Sequence, residues 1–189
     1  LIVPIGDWVL RSACEQLARL DPKSKVKLSV NVSPRQFADL EFIGRLKNII
    51  AQTSADPSRL VLEITEGLAI SNIEHSIDSM NQLRELGITF SLDDFGTGYS
   101  SLSYLNRLPV DELKIDRSFV TNITNSPENA VIVDTIIVMA EHLKLAVVSE
   151  GVETEDELNY LIGHNCHYFQ GYYFSRPVPF EEFNAARGR

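Results

Sequence analysis

Two rhythms of apolar residues alternate along the chain. Short runs of β-branched and aliphatic residues cover 26–31, 60–63, 88–94, 112–115, 145–150 and 168–172. Such near-continuous runs suit strands of a parallel sheet that is covered on both faces. Between them, apolar residues recur three and four positions apart, the period of a helix with one buried stripe. Val9, Ala13 and Leu17 mark a helix over 7–20, and Ile132, Ile136, Ala140 and Leu143 another after Ser126-Pro127. Ser33-Pro34 and Ser126-Pro127 read as N-cap followed by Pro at the first helical position. The helix after Ser33 is expected to run to about Ala51. Ser71 with Glu74 and Thr154 with Glu157 fit capping boxes. The sixth strand is expected to extend over 168–174, with a closing helix over 180–187.

Every apolar run ends in, or runs into, an acidic or amide side chain, except the fourth, which contains a Lys. These are Asn31, Glu63, Asp93 with Asp94, Lys114, Glu150 and Gln170, spaced 20 to 36 residues apart. Such spacings suit successive strand–helix units without a long structureless loop. The fold class expected is α/β, a (β/α) barrel of the TIM type, in which chemistry collects at the carboxyl ends of the strands. Six strands are counted where a closed barrel has eight, so the barrel is expected to be incomplete. The chain opens on Leu1-Ile2-Val3 without an initiator Met. It is therefore expected to be a single barrel domain over 1–189 that lacks its N-terminal portion.

Composition narrows the functional classes. With 17 basic and 26 acidic residues, the formal charge is −9. This argues against a nucleic-acid polymer as partner, which needs basic stripes to neutralise phosphates. A small phosphate ligand stays compatible if bound cations supply local positive charge. No run of 18 apolar residues suggests a membrane helix, and a cytoplasmic location is expected. Cys14 and Cys166 read as two reduced thiols. The His164-Asn165-Cys166-His167 cluster has no second half to complete a zinc site.

Carboxylates gathered at neighbouring strand ends would repel one another and favour their protonated forms unless a cation is present. Oxygen donors without a strand-end His or Cys suit a hard ion, Mg²⁺ or Mn²⁺. Alternation would send Asp93 and Asp94 to opposite faces, but at a strand end the second can turn inward. One carboxylate could then bridge two ions roughly 3.5–4 Å apart, an arrangement that activates water against a phosphodiester. Taken singly, each acid could equally cap the following helix, and Lys114 could be a simple salt-bridge residue. Asp94-Phe95-Gly96 lacks the companions of a kinase metal motif. Gly96-Thr97-Gly98 lacks the third Gly of a dinucleotide fingerprint and reads as a tight loop beside the site.

The motifs Val30-Asn31-Val32-Ser33, Glu63-Ile64-Thr65-Glu66, Asp93-Asp94-Phe95-Gly96-Thr97-Gly98-Tyr99-Ser100-Ser101, Leu113-Lys114-Ile115-Asp116, Glu150-Gly151-Val152-Glu153-Thr154 and Gln170-Gly171-Tyr172 occur in order. Together they resemble the EAL-domain family of bacterial cyclic di-GMP phosphodiesterases. The resemblance implies metal-dependent hydrolysis of cyclic di-GMP to linear pGpG. It implies Asn31, Glu63, Asp93, Asp94 and Glu150 as ligands of two ions, Mg²⁺ or Mn²⁺, and Asp93 as their bridge. Lys114, Glu150 and Gln170 would serve catalysis by holding and orienting the attacking water. Glu66 would anchor the loop over 94–101, which is implicated in homodimer contacts. Sensory or cyclase-like domains are the expected companions in a longer protein. The family's Glu-Ala-Leu segment is absent and is expected upstream of Leu1, so that the isolated chain would be impaired. A catalytically inactive cyclic di-GMP receptor is the alternative. A barrel enzyme with Lys114 as a carbon base is a third reading.

Overall fold

A computed structural model describes residues 1–96 and 102–186. Six strands follow chain order in one sheet, β1 (Leu28–Asn31), β2 (Leu60–Thr65), β3 (Thr89–Phe95), β4 (Glu112–Ile115), β5 (Ala146–Glu150) and β6 (Tyr168–Gln170). β1 with β2, β4 with β5, and β5 with β6 are parallel pairs. The helices between them are α1 (Ile2–Arg19), α2 (Pro34–Phe37), α3 (Phe42–Thr53), α4 (Glu66–Ser71), α5 (Ile73–Arg84), α6 (Leu102–Leu105), α7 (Arg117–Val120), α8 (Pro127–Leu143), α9 (Glu155–Gly163) and α10 (Phe180–Ala186). Helices joining parallel neighbours are what the (β/α) pattern requires. The chain divides into two compact units, Leu1–Ser91 with Arg107–Pro109 and Leu92–Asn106 with Val110–Arg189.

In the first unit, α1 buries Leu10, Ala13, Cys14 and Leu17. It begins five residues earlier than the periodicity suggested. Pro4 is tolerated there because the first-turn N–H groups of a helix have no internal partner. The single helix expected after Ser33 is two. Ser33 Oγ caps α2 by accepting the Gln36 N–H, but Asp39 Oδ1 then accepts the Glu41 N–H at 3.0 Å. That side-chain turn competes with the helical backbone, and α3 restarts at Phe42. Phe37 is buried there, with ring centroids 5.8 Å from Phe42 and 6.5 Å from Phe90. β2 is buried along its length up to Ile64. The helix expected to open at a Ser71–Glu74 capping box has Asn72 at its N-cap with no side-chain cap bond. Glu74 instead pairs with Arg107. α4, inserted directly after β2, carries no strong periodic signal in the sequence.

In the second unit, α8 buries Val133, Ile136, Ile137 and Ala140, and β4 buries Leu113, Lys114 and Ile115. Each fully buried aliphatic side chain contributes about 1.5–3 kcal/mol against exposure. The Thr154–Glu157 capping box forms as expected. β6 is shorter than expected because the chain turns at Gly171, where the Phe174 N–H donates to the Gly171 carbonyl at 3.1 Å. A Cβ on Gly171 would lie 2.0 Å from the Val152 carbonyl oxygen, so only glycine fits against that backbone. Among the described residues, Cys14 and Cys166 are free and buried, and no helix is long and apolar enough to cross a membrane.

Candidate active site

In the first unit, parallel register sets Asn31 directly opposite Glu63 at the carboxyl ends of β1 and β2. The Val32 N–H donates to the Glu63 carbonyl at 2.9 Å, which carries the ladder one residue past the strand. Glu63 is buried, at 6% exposure, although it carries a carboxylate. Glu66 begins α4 three residues on, half-buried. The loop it is expected to anchor includes residues 97–101, which lie outside the described residues.

In the second unit, Lys114 is almost sealed from solvent, at 4% exposure. Its Nζ lies 2.5 Å from Glu150 Oε1 and 3.2 Å from Asp93 Oδ1. The ends of β3, β4 and β5 thus bring three of the expected residues into one ion-paired group. A buried ammonium is tolerated when carboxylates and hydrogen bonds replace its lost hydration. Asp93 Oδ1 also accepts the Asp94 N–H at 3.1 Å. Asp94 has φ of +55°, a conformation that Asp adopts more readily than most residues. Asp94 is exposed between the buried Asp93 and Phe95, which keeps the strand alternation of burial. Partial desolvation, followed by the nearby Asp93 and Asp116 carboxylates, pushes the Asp94 carboxyl above its ordinary range against the pull of Lys114. Gln170 stands opposite Glu150 in the β5–β6 register, and its carbonyl accepts the Val152 N–H at 3.1 Å.

Two features beside this group were not read as functional from the sequence. Gly151, at φ +71°, lies under Arg117, and a Cβ there would meet Arg117 Cγ at 2.2 Å. Arg117 in turn pairs with Glu153 at 2.8 Å. Glu157 is buried and accepts three backbone N–H groups, from Asn122, Glu153 and Thr154, each at 3.0 Å. Its place in a capping box was legible, but its reach to Asn122, 35 positions away, was not.

Among the described residues, no three His, Cys, Asp or Glu side chains are grouped as a metal site. Asp93 and Glu150 close on the Lys114 ammonium, which takes the central cationic place between them. The donor chemistry nevertheless fits a hard divalent ion. Within this unit it is oxygen only, from Asp93, Asp94 and Glu150.

The EAL domain family matches residues 1–177. The chain belongs to that family. Among curated relatives of this EAL domain is the bifunctional diguanylate cyclase/cyclic di-GMP phosphodiesterase MucR of Pseudomonas aeruginosa, 42% identical over 188 residues. Cyclic di-GMP phosphodiesterase NbdA of the same organism is also 42% identical over 188 residues. These alignments take in 98% and 97% of the chain but 27% and 24% of the relatives, so the chain spans about a quarter of their length. Among solved structures, a PaMucR phosphodiesterase in complex with c-di-GMP superposes with a TM-score of 0.92 at 41% identity, over 96% of this chain and 74% of the other. Klebsiella pneumoniae BlrP1, solved as calcium and as manganese complexes with cyclic di-GMP, has a TM-score of 0.84 at 30% identity, over 93% of this chain and 45% of the other. The α/β assignment to an incomplete TIM-type barrel therefore holds for this EAL domain.

Proposed function

We propose that this EAL domain hydrolyses cyclic di-GMP to linear pGpG, with Asn31, Glu63, Asp93, Asp94 and Glu150 holding two divalent ions, Mg²⁺ or Mn²⁺. The observation that carries this reading is the clamp of Lys114 between Asp93 and Glu150. A buried cation between two strand-end carboxylates is an expensive arrangement for stability alone and is typical of a reacting centre. The names of the relatives and the titles of the solved complexes support the choice of substrate.

In hydrolysis, the oxygen of water adds to phosphorus, the bond from phosphorus to one 3′ oxygen breaks, and that oxygen leaves as a hydroxyl after taking a proton from solvent water. Divalent ions, when bound, would polarise the phosphodiester and lower the pKa of the attacking water. Lys114 places an ammonium beside Glu150 and Asp93, where it holds the water and offsets charge developing on the phosphate oxygens. Glu150 accepts the proton as the water attacks. Gln170, level with Glu150 in the sheet, orients the water through its amide. A homodimer of the domain belongs to the same proposal. The domain acts within residues 1–189 as one functional piece of a longer cytoplasmic signalling protein with sensory or cyclase-like companions.

The test incubates the full-length protein with cyclic di-GMP and Mn²⁺ and separates the nucleotides by chromatography. Appearance of pGpG, stopped by Lys114→Ala and by Glu63→Ala, is the expected result. Turnover that survives both substitutions would remove the site assignment. The alternative is a receptor that binds cyclic di-GMP without cleaving it. Metal-independent binding of cyclic di-GMP in calorimetry, with no product after long incubation, would select it.

A further inference from the structure

Glu157 lies outside the ion-paired group, yet it is one of the few carboxylates in the chain that is nearly sealed from solvent, at 5% exposure. Its two oxygens divide three donors. Oε1 takes the Asn122 N–H, and Oε2 takes those of Glu153 and Thr154. Asn122 is the residue at φ +57° that follows α7, the short helix leading away from Lys114 through Asp116. Glu153 and Thr154 close the loop that leads away from Glu150 through Gly151. One side chain therefore fastens the segment that follows α7, downstream of Lys114, to the loop that follows Glu150. The Arg117–Glu153 pair at 2.8 Å joins α7 itself to the same loop from the exposed side. The capping of α9 needs only the Thr154 and Glu153 donors. The reach to Asn122, which stands at the N-cap of a one-turn 3₁₀ helix over Ile123–Asn125, goes beyond the capping of α9 and joins it to a second element.

We propose that Glu157 is a positioning residue, which sets the separation of Lys114 from Glu150 by tying the segment after α7 to the loop after β5. This rests on the hydrolase reading for its kinetic consequence, but not for its structural one. Glu157→Gln retains the shape and one good acceptor, while its amide nitrogen must face at least one backbone N–H. Misplacement of reacting groups by about 1 Å costs roughly 10²-fold in rate. The expected result in the full-length protein is a fall in kcat of about tenfold to a hundredfold with KM little changed. Glu157→Asp, which keeps both acceptor oxygens on a shorter stem, should recover part of the loss. Leu161→Val, a substitution of a buried residue in the same helix, supplies a weakened protein whose carboxylate junction is intact. It should keep kcat at a comparable drop in melting temperature.

Amide hydrogen exchange of the same proteins gives a readout independent of turnover. Asn122, Glu153 and Thr154 should be protected in the wild type and lose that protection together in Glu157→Gln. A Glu157→Gln protein with wild-type kcat, or one whose loss matches that of Leu161→Val, overturns the proposal. If the wild type shows no turnover, the hydrolase reading fails, and the junction is then judged on exchange alone. Equal protection at the three amides in wild type and Glu157→Gln would overturn it in that case too.

Discussion

Lys114 Nζ lies closer to Glu150, at 2.5 Å, than to Asp93, at 3.2 Å, and all three side chains are largely withdrawn from water. The ammonium thus balances two carboxylates that are held close together with little water around them. Removing it leaves two buried negative charges facing each other. Lys114→Ala should lose about 3–5 kcal/mol in the metal-free protein, the cost of stripping one partner from a buried ion pair. Added Mn²⁺ should restore more of the melting temperature in this variant than it adds to the wild type. Equal metal-induced shifts in a thermal melt would show that Lys114 and the ion do not share these carboxylates.

Glu63 is buried opposite Asn31 in the strand register. Glu63→Gln keeps the shape and removes the charge, so the fold should survive. Affinity for Mn²⁺ should fall at least about tenfold, since even outer-shell substitutions cost that much. Titration calorimetry on the two proteins decides the point, and an unchanged binding isotherm would take Glu63 out of the ligand set.

Asp94 has its carboxyl raised by desolvation and by Asp93 and Asp116. A raised folded-state pKa means that the associated stability is full at low pH and is lost as pH rises through that value. At neutral pH the ionised group therefore weighs against the metal-free fold. Asp94→Asn should melt slightly higher than wild type in chelator at neutral pH, while turnover is lost. The advantage should vanish in acid, where both side chains are neutral. A variant that melts lower throughout would refute this account of the acid pair.

Glu157 behaves in the opposite sense. Burial alone would push its carboxyl up, but the backbone N–H groups of Glu153, Asn122 and Thr154, with the Thr154 side chain, outweigh burial and hold it below the ordinary range. The stability it supplies is present above the unfolded carboxyl value of about 4.3 and is lost as pH falls through the lowered folded value. The gap in melting temperature between wild type and Glu157→Gln should be widest near neutrality and narrow in acid. A gap independent of pH would mean that the charge contributes nothing at this junction.

Gly171 presses on the Val152 backbone, and an added Cβ would meet the carbonyl oxygen at 2.0 Å. Gly171→Ala should cost about 1–3 kcal/mol, as overpacking of a well-filled site does. Because Gln170 precedes it, turnover should fall as well. A melt unchanged from wild type would show that the β6 turn yields to the added methyl.

Much of this protein follows from sequence alone because it depends on local periodicity. Continuous apolar runs located all six strands, and the polar residues that end or interrupt them marked the candidate site. Ser33, Ser126 and Thr154 announced their helices by cap chemistry that acts over three residues. The EAL motifs stand at those same strand ends, so family and candidate site were legible together. Tertiary structure decided whatever depended on partners distant in sequence. The helix expected to run unbroken from Ser33 yields to a turn that Asp39 builds with its own neighbours and with Arg45. Glu74, read as part of a capping box, is drawn to Arg107 instead. Lys114, which in one dimension could as well have been a solvated base, became the buried partner of two acids 21 and 36 positions away. Glu157 acquired a third donor 35 positions upstream. Local patterns encode where a backbone can bend or be covered, whereas the pairing of charges is settled only when folding removes water and each buried ion must find its counterpart.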